Sequence, residues 1–158
     1  MAHILFICTA NICRSPVAEA LLKDRLKKNG YDDWSVSSAG TWSLTRSPAA
    51  QNSQMVSAQY GLDISDHISR MVEEAHLREA DLILCMEEGH VEALKVEFPE
   101  QVHKIYPLTA MSGPTYSVND PYGGPLLDYQ VMIAELARII DSGFDRIIEL
   151  AEDNNAIK

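Results

Sequence analysis

The segment His3-Ile-Leu-Phe-Ile-Cys8 is apolar at every position after its histidine. Side chains on a strand point alternately to opposite faces, so a strand that is apolar throughout is buried on both. This is the pattern of a strand inside a parallel sheet covered by helices, and it argues against a sheet with one wet face. Ser15-Pro16 follows closely, a favoured N-cap and a residue suited to the first helical position. Val17, Ala18, Leu21, Leu22 and Leu26 then form an apolar stripe at helical spacing, which Gly30 ends.

The same alternation runs on through the chain. Trp34 to Ser38 alternates like a strand, and Pro48 to Tyr60 reads as a second helix closed by Gly61. Asp81 to Met86 is another buried strand, Glu87 to Phe98 a helix and Val102 to Leu108 a fourth strand. Leu127 to Glu152 is a long amphipathic helix, with an interruption expected near Gly143. The order β-α-β-α-β-α-β-α predicts an α/β fold, a doubly wound four-stranded parallel sheet with helices on both faces. The chain of 158 residues shows no repeat, low-complexity tract or linker, so one domain spanning 1–158 is expected.

In such sheets ligands bind at the carboxyl ends of strands, near the point where strand order reverses. The first strand ends at Cys8, so the loop Cys8-Thr9-Ala10-Asn11-Ile12-Cys13-Arg14-Ser15 occupies the binding position. A loop wrapping onto a helix N-terminus turns main-chain N–H groups inward and makes a concave anion nest. The same field stabilises a thiolate at Cys8. Arg14 can grip two oxygens of a phosphoryl group, and its grip strengthens as charge builds in a transition state. The Ser15 hydroxyl lies near the helix start, placed to cap the helix, to donate to the thiolate, or both. Asn11 tolerates a left-handed backbone better than most residues. A nucleophile, an oxyanion cradle and a cation thus fall within one turn of chain. The competing reading makes Cys8 a buried small hydrophobe and Arg14 a surface residue.

A Walker-type nucleotide site lacks its Gly-rich loop and Lys-Ser/Thr ending here. His3, His67, His76, His90 and His103 are scattered without metal-ligand spacing, so no metal or other cofactor is expected. Thirteen basic residues stand against 23 acidic ones, a net charge of −10. That balance disfavours nucleic acid and anionic membrane surfaces as partners. No apolar run approaches the roughly 18 residues of a membrane span. The first residues, Met1 to Cys8, carry no Lys or Arg and read poorly as a signal peptide. Three cysteines, an odd and low count, point to a reducing, cytoplasmic setting.

The segment Ile7-Cys8-x-x-Asn11-Ile12-Cys13-Arg14-Ser15-Pro16-x-Ala18-Glu19 resembles the signature of the low-molecular-weight protein tyrosine phosphatases. The blocks Ser37-Ser38-Ala39-Gly40-Thr41, Asp81 to Glu87 and Asp120-Pro121-Tyr122-Gly123-Gly124 are similar to that family's second loop, third strand and general-acid loop. The resemblance implies hydrolysis of phosphotyrosine monoesters on proteins, with inorganic phosphate as product and oxyanions as inhibitors. Cys8 would attack phosphorus to form a phosphocysteine intermediate, and Arg14 would bind the equatorial oxygens. Ser15 would stabilise the thiolate, and Asp120 would protonate the leaving phenolate and then activate water. Thr9, Ala10, Asn11, Ile12 and Cys13 would form the phosphate-binding loop, with Asn11 braced by Ser38 and His67. Trp42 and Tyr122 would be the substrate walls, placed to sandwich a phenyl ring. A Cys8–Cys13 disulfide would follow oxidation of Cys8.

The chain departs from this pattern at two places. Ala10 stands where the family usually has Gly, which is harmless only at negative φ. Ala49-Ala50-Gln51-Asn52 stand where an Asp and a basic residue are common, so a supporting polar network there is missing or rebuilt. Two rivals share the scaffold. A protein-arginine phosphatase resembles this chain but carries Thr in place of Ile12. A thiol-coupled arsenate reductase needs further cysteines in a mobile helix, which Cys85 in a strand does not supply. A catalytically silent phosphate-binding or redox-sensing module is a third alternative, disfavoured by the presence of Cys8, Arg14 and Asp120 together.

Overall fold

A computed structural model describes all residues from Met1 to Lys158. Strand β1 (His3–Cys8) leads to helix α1 (Arg14–Lys28), strand β2 (Ser35–Gly40) and helix α2 (Gln51–Gln59). Helix α3 (Glu74–Glu79), strand β3 (Leu82–Cys85), helix α4 (Glu88–Glu97), strand β4 (Ile105–Pro107) and helix α5 (Leu126–Ala156) follow. Short 3-10 turns occupy Pro99–Lys104 and Leu108–Met111. The four strands are all parallel in the order β2-β1-β3-β4. The chain leaves β1 toward one side and crosses back to the other, so the carboxyl edge of β1 is the switch point.

The all-apolar strands are buried as their pattern demands. Ile4, Phe6 and Cys8 of β1 face a cluster of 30 buried residues shared with α1 and α5. Leu5 and Ile7 face a smaller cluster of 10, with Leu77 of α3 and Val91 and Leu94 of α4. Helices therefore cover both faces, as the sequence pattern predicts.

Several boundaries differ from the sequence expectation. Strand β2 runs to Gly40, because its last residues pair with Ile7 and Cys8. The stretch before β4 is a 3-10 turn rather than strand, opened by Pro99 and closed where Lys104 turns inward. Pro48 lies outside α2, in an isolated bridge to Ile68. Helix α3 lacks the length for a readable periodicity. Helix α5 passes through Gly143 without a break. A Cβ there would meet Met111 main-chain atoms at 2.9 Å, so this glycine lets α5 press against the turn over Leu108–Met111.

Candidate active site

The loop between β1 and α1 is held from outside through its carbonyls. Thr41 and Trp42 N–H groups donate to the Cys8 and Thr9 carbonyls, at 3.0 and 2.9 Å. Ala50 N–H donates to Ile12 O at 2.8 Å, Ser53 Oγ to Cys13 O at 3.0 Å, and His67 Nε2 to Asn11 O at 2.7 Å. The N–H groups of Thr9 through Cys13 donate to no group of the chain. Main-chain groups are strong and obligatory donors, so a loop with every carbonyl from Cys8 to Cys13 except that of Ala10 bonded outward, and its amides free, is built for an anion. The bonds from Ala50 and Ser53 also answer the question raised by the departure at Ala49 to Asn52. Support there is rebuilt from main chain and one hydroxyl.

Asn11 alone among non-glycine residues has a positive φ, of 60°. Its side chain is fully used. Oδ1 accepts from Arg70 N–H at 3.0 Å, while Nδ2 donates to Ser15 Oγ at 2.8 Å and Ser38 Oγ at 2.9 Å. Ser38 Oγ in turn donates a hydrogen bond to Glu19 Oε1 at 2.7 Å. Ser15 accepts from Asn11, so its proton is free for Cys8 Sγ, 2.9 Å away. Ser15 is therefore not the helix cap. Helix α1 starts one residue earlier at Arg14, with no side-chain cap, and the hydroxyl is spent on the sulfur. Ala10 does not take positive φ, so its methyl group is tolerated. Gly40, within the block similar to the family's second loop, is given no role by the sequence. A Cβ there would collide with Thr9 O and approach Ala10 and Asn11 main-chain atoms at 3.1 Å.

Arg14 is 1% exposed. Nη1 donates to Val118 O and Nη2 to Glu87 Oε2, both at 2.7 Å, and Asp120 Oδ2 stands 3.7 Å from Nη2. Its Nε is buried without a partner. Glu87, Val118 and His90 are the functional neighbours that sequence reasoning missed. Glu87 carried a readable signal, because it ends the third strand's segment at the same carboxyl edge. Nothing local marks the Val118 carbonyl.

Cys8, Thr9, Ala10, Ile12, Cys13, Arg14, Asp120 and Tyr122 line one hollow of about 290 Å³. Asp120 is half-exposed, and its Oδ1 accepts the Tyr122 N–H at 3.1 Å in an Asx turn. Trp42 does not line this hollow. It stands 67% exposed over an adjoining one of about 210 Å³, which shares Ala10 and Ile12. Ser38 and His67 lie behind the loop, as braces. No three His, Cys, Asp or Glu side chains converge as a metal-binding group. Burial pushes the Cys13 thiol up to about 11, which leaves it protonated at neutral pH. Cys85 is fully buried in β3, and burial raises its pKa further. All three cysteines are unpaired.

Comparison with known proteins agrees with this geometry. Residues 3–153 match the family model described as low molecular weight phosphotyrosine protein phosphatase. The chain belongs to that family. A probable low molecular weight protein-tyrosine-phosphatase, EpsP, of Ralstonia solanacearum is 33% identical, covering 91% of this chain and 94% of that protein. A protein-arginine-phosphatase of Geobacillus stearothermophilus is 35% identical, covering 88% and 91%. The crystal structure of the low molecular weight protein tyrosine phosphatase from T. tengcongensis superposes with a TM-score of 0.87 at 37% identity, covering 92% of this chain and 99% of that one. Members of this family are cysteine-dependent phosphatases. No helix is long and apolar enough to cross a membrane.

Proposed function

We propose that residues 1–158 form one cytoplasmic phosphatase domain that hydrolyses phosphotyrosine on proteins through a phosphocysteine at Cys8. The observation that carries this reading is the loop whose amides from Thr9 to Cys13 are free while its carbonyls, that of Ala10 excepted, are bonded outward, closed around Cys8 by a buried Arg14. The free amides and Arg14 receive the phosphoryl oxygens, and Cys8 Sγ attacks phosphorus in line with the departing phenolate. Asp120, at the rim of the same hollow, gives that oxygen its proton. A phenol leaves with a pKa near 10, so proton donation is worth roughly 10²–10⁴-fold. Ser15, whose proton points to sulfur, stabilises the thiolate before attack and when it leaves in the second step. Asp120, now the base, activates water, and inorganic phosphate is released.

Ile12 and Tyr122 offer an apolar floor and an aromatic wall to a phenyl ring. Trp42, across Ala10 and Ile12, meets whatever extends from the hollow on that side.

A second reading, phosphoarginine as substrate, is favoured by the identity to the Geobacillus enzyme. Against it stands Ile12, which has no hydroxyl to meet a guanidinium or orient water. Parallel assays on one peptide bearing phosphotyrosine or phosphoarginine test the choice. The expected result is a higher kcat/KM for phosphotyrosine, and a preference for phosphoarginine would overturn it. Thiol-coupled arsenate reduction is disfavoured by the full burial of Cys85.

A further inference from the structure

Thr9 is half-buried and its side chain lines the hollow with Cys8, Arg14 and Asp120. Its hydroxyl has two polar neighbours, His90 Nε2 at 3.0 Å and Arg14 Nη2 at 3.4 Å. Chemistry decides which way each bond runs. A guanidinium carries only donors, so Arg14 donates. The direction at His90 is set by its other ring nitrogen. Nδ1 lies 3.2 Å from the Glu87 main-chain N–H, closing the capping box at the head of α4. An N–H bonds only a nitrogen that carries no proton, so Nδ1 is the acceptor and the neutral ring holds its proton on Nε2. Burial is the largest cause keeping the ring neutral, by lowering its pKa from the ordinary 6.5. Arg14 acts in the same sense, and Glu87 and Asp120 oppose it. His90 therefore donates to Thr9 as well. Both lone pairs of the hydroxyl face donors, and neither neighbour can accept its proton.

We propose that the Thr9 hydroxyl is a side-chain donor to the phosphoryl group bound over Cys8, and that His90 is the positioning residue that aims it. The inference rests on reading the hollow as a phosphoryl site, and it adds a donor that the main-chain cradle does not include. The arrangement ties the loop after β1 to the head of α4 beyond the neighbouring strand β3. Glu87 belongs to both halves of it, bonding Arg14 through its carboxylate and His90 through its N–H.

Inorganic phosphate is the probe, with affinity read by calorimetry and kcat and KM read separately on p-nitrophenyl phosphate. Thr9→Val keeps the shape and removes the donor, so phosphate affinity and kcat/KM fall by roughly tenfold to a hundredfold, as for a hydrogen bond to a charged group. Thr9→Ser restores most of the loss. His90→Ala lowers the same quantities, yet adds nothing in the Thr9→Val background, because it acts through that hydroxyl. His90→Gln recovers activity, since its amide both accepts from the Glu87 N–H and donates to Thr9. Unchanged phosphate affinity in Thr9→Val overturns the proposal, as do losses that multiply in the double variant. If His90→Ala does not fold, Thr9→Val against Thr9→Ser decides the matter alone. Phosphate binding is read without turnover. Intact turnover with Thr9→Val indifferent to phosphate defeats this inference only. A wild type that binds phosphate through Thr9 but hydrolyses neither p-nitrophenyl phosphate nor phosphotyrosine defeats the phosphatase reading only.

Discussion

Both ends of the sheet bury charge, and they treat it in opposite ways. At the amino edge, Lys104 is buried and its Nζ donates to the carbonyls of Leu77, Ala80 and Arg78, at 2.7, 2.9 and 3.4 Å. Asp81 beside it accepts from His3 N–H at 2.8 Å and Asn155 Nδ2 at 3.2 Å, and lies 3.0 Å from Lys158 Nζ. The Nε2 and Nδ1 of His3 bond Ser37 and Ser35 at 2.7 and 2.6 Å. These charges are answered within the chain, Asp81 Oδ1 by the Lys158 ammonium alone and without a hydrogen bond, and the network ties the C-terminal residues to the head of β3. At the carboxyl edge the donors outnumber the acceptors. Arg14 Nε and the loop amides donate to nothing in the chain, and the Thr9 hydroxyl accepts from His90 and Arg14 while its own proton has no acceptor between them. An unmet buried donor costs about 1–3 kcal/mol, so such a surplus is retained where a ligand anion meets it. Saturated polar groups mark a staple, and unsaturated donors of one sign mark a binding site.

The contrast predicts that the two edges separate under substitution. Cys8→Ser should remove turnover of p-nitrophenyl phosphate by roughly 10⁴-fold or more while leaving the thermal midpoint near that of the wild type. Residual wild-type rates in this variant would break the covalent mechanism. Asp120→Asn should lower kcat on phenolic substrates by roughly 10²–10⁴-fold, with the loss shrinking as the leaving group becomes more acidic. A loss independent of the leaving group would place Asp120 outside proton transfer.

The amino edge should respond in the other observable. Lys104→Met leaves the Leu77 and Ala80 carbonyls unpaired, a cost of about 1–3 kcal/mol. For a domain of this size that is a fall of roughly 2–10 °C in Tm, with kcat unchanged. A change in kcat would show that the two edges are coupled.

The smallest effect concerns pH. Burial lowers the pKa of His3 in the folded chain, against an ordinary value of 6.5. The unfolded chain thus takes up the proton first. Stability from this residue is complete above about 6.5, and is lost as pH falls from there to the depressed folded value. Thermal melts between pH 7.5 and 5 should show a shallower decline for His3→Gln than for the wild type. An unchanged slope would assign the decline to His76 and His90, whose pKa values burial also lowers.

Much of this was legible from the sequence because it is local. The all-apolar strands, the stripe of α1 and the contiguous loop from Cys8 to Ser15 each carry their meaning within a few residues. Asp120 was legible through a resemblance, as an Asp-Pro turn has no chemistry by itself. Glu87 and His90 act on residues 73 and 81 positions away, Arg14 and Thr9. No spacing rule reaches that far. Gly143 was misread for a related reason. A glycine in a helix signals a break locally, but its contact with Met111 is a fact of packing.

The sequence by itself determined the layering of this protein and the place of the loop from Cys8 to Ser15 within it. Hydrophobic period, turn residues and the order of elements are properties of short segments, and they suffice to place Cys8 at the switch point of a parallel sheet. Only the tertiary structure decided which donors stay free. Proton direction at Ser15 and Thr9 is set by partners brought in from β2, α4 and the loop between α2 and α3. A hydrogen bond has a sense only when both of its ends are present.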